Sequence, residues 1–193
     1  MDLAKTPFVR QNERAVIDQL VAALCGDQWP LVEAAVKQVE MERLWRPAVT
    51  AITRLGKPHT TISMKIHSLW TERGHRIREQ VLDDGMLLDA LRILLPTYNG
   101  SGLTLYRGEN FDRWKRRSFG FAWTPSKDVA RMFARGLNAA HGEGGILLCV
   151  DALCEAIIAA PSQHSIYLQE YEYVVDPRQL LRIEPIEQFP SIR

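Results

Sequence analysis

The chain has 193 residues, 46% hydrophobic and 24% charged, with 24 Lys and Arg against 23 Asp and Glu. A net charge of +1 excludes a protein drawn to nucleic acid or an anionic membrane by its overall field, although a local basic run remains open. The length suits one ordinary domain, or one domain with a helical extension, and the composition is that of a globular protein.

The first residues, MDLAKTPFVRQNER, contain no apolar signal core. No stretch approaches the roughly 18 uncharged apolar residues of a membrane span. Cys25, Cys149 and Cys154 are odd in number and match no zinc spacing, and their apolar neighbours lead us to expect buried, reduced thiols. A cytoplasmic protein without membrane contact is expected.

Residues 1–96 follow a helical period. In ERAVIDQLVAAL, Val16, Leu20 and Ala23 form one stripe, and Gly26 ends it. WPLVEAAVKQVEMERLW reads as a second helix with Pro30 in its first turn. Gly56-Lys57-Pro58 interrupts the pattern, which resumes through Ile62, Ile66, Leu69 and Trp70. Asp83-Asp84-Gly85 reads as a turn, and MLLDALRILL as a short apolar helix stopped by Pro96. His59, His67 and His75 lack a carboxylate or cysteine to complete a ligand set, so no metal is expected.

Residues 97–193 change texture. LTLYRG has strand character, SFGFAWT is aromatic, DVARMFARG is a helix with Val129, Met132 and Phe133 on its apolar side, and GGILLCVDAL is a buried strand. EAIIAA, EYEYVVD and LLRIEPI are further strand candidates. The class is therefore α+β: a helical region, 1–96, followed by a strand-rich domain, 97–193.

Three stretches could carry chemistry. Alternation along a strand puts Leu103, Leu105 and Arg107 on one face. A buried guanidinium needs an anion, either a structural carboxylate such as Glu109 or a bound ligand, and Gly108 would let a ligand approach the backbone. In SFGFAWTPSKDVA, Thr124 before Pro125 reads as a helix cap. Gly120 permits close approach there, and Trp123 is either core or a stacking surface. In QEYEYVVD, a strand would put the Glu170 and Glu172 carboxylates on one face with Cα atoms about 6.5 Å apart, which raises a pKa unless a cation or substrate intervenes. The basic run Arg113 to Arg117, with Trp114 inside it, is a candidate phosphate contact.

In this order, LYRG, AWT and EYE resemble the mono-ADP-ribosyltransferases of the Arg–Ser–Glu type over about residues 101–187. The resemblance implies a split antiparallel sheet that binds NAD as co-substrate. It implies that Arg107, with Gly108, contacts the diphosphate and adjacent ribose. Ala122, Trp123 and Thr124 stand where the family has Ser-Thr-Ser. Glu172 would be the catalytic glutamate, Glu170 would orient or activate the acceptor, and residues 161–169 would meet the target. Ala122 departs from the family's serine, which helps position the glutamate, so Thr124, Ser118 or Ser126 would have to replace it. The implied activity is transfer of ADP-ribose to a protein or nucleic-acid acceptor. Small members act as bacterial toxins, phage proteins and phage-defence effectors, and an antitoxin or inhibitor could dock on the helical region. NAD hydrolysis and a catalytically dead binding module are the alternatives.

Overall fold

Among the described residues, five helices make up the first unit, Met1–Pro96. The structure, a computed structural model, describes residues 7–192, with side chains from residue 11. The helices are α1 (Pro7–Cys25), α2 (Trp29–Met41), α3 (Trp45–Ile52), α4 (Thr60–Val81) and α5 (Asp84–Leu94). Their apolar stripes meet: Leu20, Val36, Ile52, Ile62, Leu88 and Leu91 are all buried. The run from Trp29 to Trp45 is two helices, because Arg43 takes a positive φ of 56° and the Leu44 N–H closes on Val39 O at 2.9 Å. Asp83-Asp84-Gly85 opens α5: Asp83 Oδ1 accepts the Met86 N–H at 2.9 Å as its cap.

His67, on α4, is buried, and neither its Nε2 nor the nearby Ser63 Oγ has a hydrogen-bond partner among the described residues. Burial pulls the His67 imidazole down to about 4, so the neutral form is the one accommodated. Its contribution to stability is full above pH 6.5 and is lost as pH falls through about 4. The loss amounts to roughly 3 kcal/mol at most. Urea unfolding at pH 7 and pH 4 is expected to show this drop, and His67→Leu is expected to shrink it.

The second unit, Thr97–Arg193, contains β1 (Leu103–Asn110), α6 (Phe111–Lys115), β2 (Ala122–Trp123), α7 (Lys127–Arg135), β3 (Gly145–Ala152), β4 (Ile157–Ala159), α8 (Gln163–Tyr167), β5 (Tyr173–Val175) and β6 (Glu184–Phe189). Eight α-helices among the described residues and two three-stranded antiparallel sheets make the protein α+β. One sheet has the order β1-β3-β6 and the other β2-β5-β4. They meet at one bridge, where the Tyr106 N–H donates to Thr124 O at 2.7 Å and the Thr124 N–H to Tyr106 O at 2.9 Å.

Strand alternation sorts the faces. Leu105 of β1 and Ile146, Leu148 and Val150 of β3 pack with Phe119, Trp123, Ile157 and Val175 in one core. Burying side chains such as Leu105 and Leu148 contributes about 1.5–3 kcal/mol each. The opposite face of β3 presents Leu147 to Ala130 and Ala134 of α7. Helix and strand approach so closely that a Cβ on Gly108 would lie 2.4 Å from both Ala130 O and Ala134 N. The missing side chain at 108 therefore admits α7 rather than a ligand.

Several local expectations shift. The cap of α7 is Ser126, whose Oγ accepts the Val129 N–H at 3.3 Å, and not Thr124. Met132 is exposed, because Ala130 and Ala134 make the close contacts of α7. SFGFAWT supplies only the two-residue β2, and the last strand starts at Glu184 rather than Leu180. All three thiols are free, but Cys25 and Cys154 are exposed. No helix among the described residues is long and apolar enough to cross a membrane.

Candidate active site

Arg107 sits on the core-facing side of β1 with a side chain only 14% exposed. Its Nε donates to Glu109 Oε2 at 2.8 Å and its Nη1 to Ala122 O at 2.5 Å. Gly120 makes the pose possible, since a Cβ there would fall 2.0 Å from Arg107 Nη2. The guanidinium is thus clamped between two strands and aimed by a glycine.

Glu109 is the partner, and it is 0% exposed. Its Oε2 also accepts the Gly120 N–H at 2.9 Å, its Oε1 accepts the Asn110 N–H at 3.0 Å, and Arg113 Nη1 lies 3.6 Å from Oε1. Burial alone would raise this carboxyl, but the Arg107 and Arg113 guanidiniums and the Gly120 N–H outweigh it and hold it below the usual carboxylate range. Two guanidiniums thus lean on one buried carboxylate.

Glu170 and Glu172 do not lie on a strand. They occupy the turn before β5, which begins at Tyr173. Gln169 and Tyr171 adopt left-handed φ values of 60° and 49°, so strict alternation does not apply to the pair. The Glu172 N–H donates to Ser165 Oγ at 2.6 Å, and the Glu170 N–H to Ser165 O at 3.0 Å. Ser165 therefore holds the Glu172 backbone, where Thr124, Ser118 and Ser126 were the expected substitutes for the missing serine.

The pairing of β2 with β5 brings the stretches together. Ala122 lies opposite Val174 and Trp123 opposite Tyr173, so Glu172 emerges beside the strand whose Ala122 carbonyl binds Arg107. Arg107 and Glu172 are within electrostatic reach of each other. Burial, aided by the Glu170 charge, pushes Glu172 up to about 7 against the pull of Arg107. Burial also raises Glu170, and His164 opposes it.

Other predicted positions take structural roles. Trp123 is 1% exposed in the core, with its indole N–H donating to Gly120 O at 3.2 Å, so its ring presents no face for stacking. Thr124 is buried, and its Oγ1 accepts the Ser126 N–H at 3.1 Å. Ala122 contributes its carbonyl oxygen, a role independent of its side chain. In the basic run, Lys115 pairs with Glu143 at 2.5 Å and Asp112 at 3.6 Å, and Arg113 leans on Glu109. Arg116 and Arg117 are exposed. Among the described residues no group of three His, Cys, Asp or Glu side chains could hold a metal ion.

Ser165 escaped sequence reasoning, and Gly120 was legible only in part. Gly120 pointed to a close approach without naming the guanidinium as its occupant. Ser165 carried only a local signal, the Ser162-x-x-Ser165 spacing of a capped helical turn, in which Ser162 Oγ accepts the Ser165 N–H at 3.1 Å. Comparison with family models, with curated proteins and with solved structures gives no match.

Proposed function

We propose that the second unit is an NAD-dependent mono-ADP-ribosyltransferase of the Arg–Ser–Glu type, acting on a macromolecular acceptor. The observation that carries this reading is that β1, β2 and β5 bring Glu172 into the electrostatic neighbourhood of Arg107 from positions 65 residues apart in sequence. Two small antiparallel sheets joined at one bridge agree with the split sheet that the resemblance implies.

The chemistry fits these side chains. NAD carries a diphosphate, and the Arg107 guanidinium, positioned by Glu109 and the Ala122 carbonyl, is the cation suited to meet it. Breaking the C1′–nicotinamide bond sends the bonding pair to the nicotinamide nitrogen, which leaves neutral, and positive charge develops on the ribose. An ionised Glu172 stabilises that charge. The acceptor nucleophile bonds to C1′ and gives its proton to Glu170, whose raised affinity for protons suits a base.

A protein is favoured over nucleic acid as acceptor. Arg113 and Lys115 are engaged by acids of the same chain, which weakens the phosphate-binding run. Ile166, Tyr167, Leu168 and Tyr171, beside the acidic pair, are exposed apolar or aromatic side chains suited to a protein surface. Ala122, which offers no hydroxyl, favours a second reading: a binding module that keeps the fold without turnover.

Incubation with labelled NAD and cell lysate, followed by separate protease and nuclease digestion, is expected to release label with protease. Label confined to free ADP-ribose would indicate NAD hydrolysis instead. No nicotinamide release at all would favour the binding module.

A further inference from the structure

The acidic turn hangs on one side chain and its carbonyl. Ser165 is 0% exposed. Its O accepts the N–H groups of Glu170 at 3.0 Å and Tyr171 at 3.4 Å, and its Oγ accepts that of Glu172 at 2.6 Å. Its own N–H is held by the buried Ser162 hydroxyl. Three consecutive backbone donors are thereby gathered on a single residue of α8.

The turn needs such a hold. Gln169 and Tyr171 both sit in the left-handed region, with φ of 60° and 49°, where a side chain crowds its own backbone. Non-glycine residues stay there only when surrounding contacts over-determine them. The most direct of those contacts on Glu172 is the Ser165 hydroxyl. The backbone nitrogen it fixes lies one bond from the Cα that carries the carboxyl-bearing side chain. Across the site, Ala122 has no hydroxyl to share this task and spends its carbonyl oxygen on Arg107.

We propose that Ser165 is the positioning residue for Glu172: its hydroxyl, anchored through Ser162, sets the direction in which the Glu172 side chain leaves the backbone toward Arg107. The inference rests on the reading of Glu172 as the group that stabilises the ribosyl charge. Ser165 itself touches neither substrate nor acceptor in this scheme. It acts through the turn, replacing from the preceding helix the hydroxyl that position 122 lacks.

The test uses the full chain with Ser165→Ala, Ser165→Cys and, as control, Glu172→Gln. Three quantities are read: NAD affinity by calorimetry, single-turnover release of nicotinamide, and titration of the Glu172 carboxyl by NMR of carbon-13-labelled glutamate, assigned by its absence in Glu172→Gln. Ser165→Ala is expected to leave NAD affinity within about 3-fold and to slow the single-turnover step by about 10–100-fold, as misplacement of a reacting group does. The titration midpoint of Glu172 is expected to fall toward that of an ordinary carboxylate as the loosened turn admits water. Ser165→Cys, with a weaker acceptor of similar shape, is expected to fall between. Wild-type turnover in Ser165→Ala, or a Glu172 titration that does not move, overturns the proposal while leaving the site reading intact. Full activity in Glu172→Gln overturns the site reading, and the proposal with it. If Ser165→Ala fails to fold, the same two readouts on Ser165→Cys decide.

Discussion

Glu172→Gln is expected to lower nicotinamide release from NAD by about 10²–10³-fold at pH 8 while leaving NAD affinity nearly unchanged, because it removes one charge that acts only on the transition state. Single-turnover assays with calorimetry measure both terms. In the wild type, kcat/KM is expected to rise as pH increases through about 7, since burial holds the protonated form below that point and the ionised form is the active one. The same substitution has the opposite effect on stability. The folded-state value of Glu172 is raised from 4.5 to about 7, so its contribution to stability is full below pH 4.5 and is lost as pH rises through 7. At pH 8 the buried charge costs at most roughly 3 kcal/mol, which the neutral glutamine avoids. Urea unfolding should therefore show Glu172→Gln more stable than wild type at pH 8 and equal to it near pH 4. Lost turnover with gained stability is the signature of a group kept for chemistry. Equal stability at pH 8 would show that burial does not disfavour this carboxylate.

Glu109→Ala is expected to destabilise the protein by about 3–5 kcal/mol, the usual cost of removing one member of a buried ion pair. The carboxylate is 0% exposed and accepts from Arg107 Nε and the Gly120 and Asn110 N–H groups, so its removal strands a guanidinium and two backbone donors at once. Glu109→Gln, which retains one acceptor oxygen, is expected to cost less. Urea unfolding monitored by far-ultraviolet circular dichroism measures both variants. The wild-type contribution is present above pH 4.5 and disappears as pH falls through the lowered folded-state value, so the difference between wild type and Glu109→Ala should narrow in acid. An unchanged unfolding midpoint in Glu109→Ala would mean that Arg107 is held by Ala122 O alone.

Local pattern made much of the molecule legible. The apolar period of residues 16–24 and 62–70 gave helices because side chains three and four apart fall on one face. The run from Gly145 to Ala152 gave a largely buried strand because it is apolar on both faces as far as Val150, with Asp151 exposed near its end. Where two signals competed, the sequence misled. Thr-Pro at 124–125 looked like a helix start, but Thr124 is occupied by its bridge to Tyr106, which leaves Ser126 to cap. Glu170 and Glu172 looked like a strand pair because Tyr173 to Val175 continue the same alternation. The left-handed residues at 169 and 171 are held through their N–H groups by the carbonyls of Ile166 and Ser165, contacts which no local propensity announces. Gly108 and Gly120 both signalled close approach, yet only the folded chain assigns helix backbone to one and a guanidinium to the other.

By itself the sequence determined the elements, the change from a helical to a strand-rich half near Pro96, and which side chains could carry charge chemistry. Those follow from periods and residue types within a few positions of one another. The tertiary structure decided between open readings: Arg107 is paired with Glu109 and the Ala122 carbonyl, Trp123 is core, and Ser165, which nothing in the sequence singled out, holds the acidic turn. The partners are close in the chain for Arg107 and Glu109 and for Ser165 and Glu172; what only folding supplies is the burial around the first pair, the turn that closes the second, and the register with β5 and β4 that seals Trp123. The strength of a charge or a hydrogen bond is set by the burial and geometry that folding supplies, even where the partner is close in the chain.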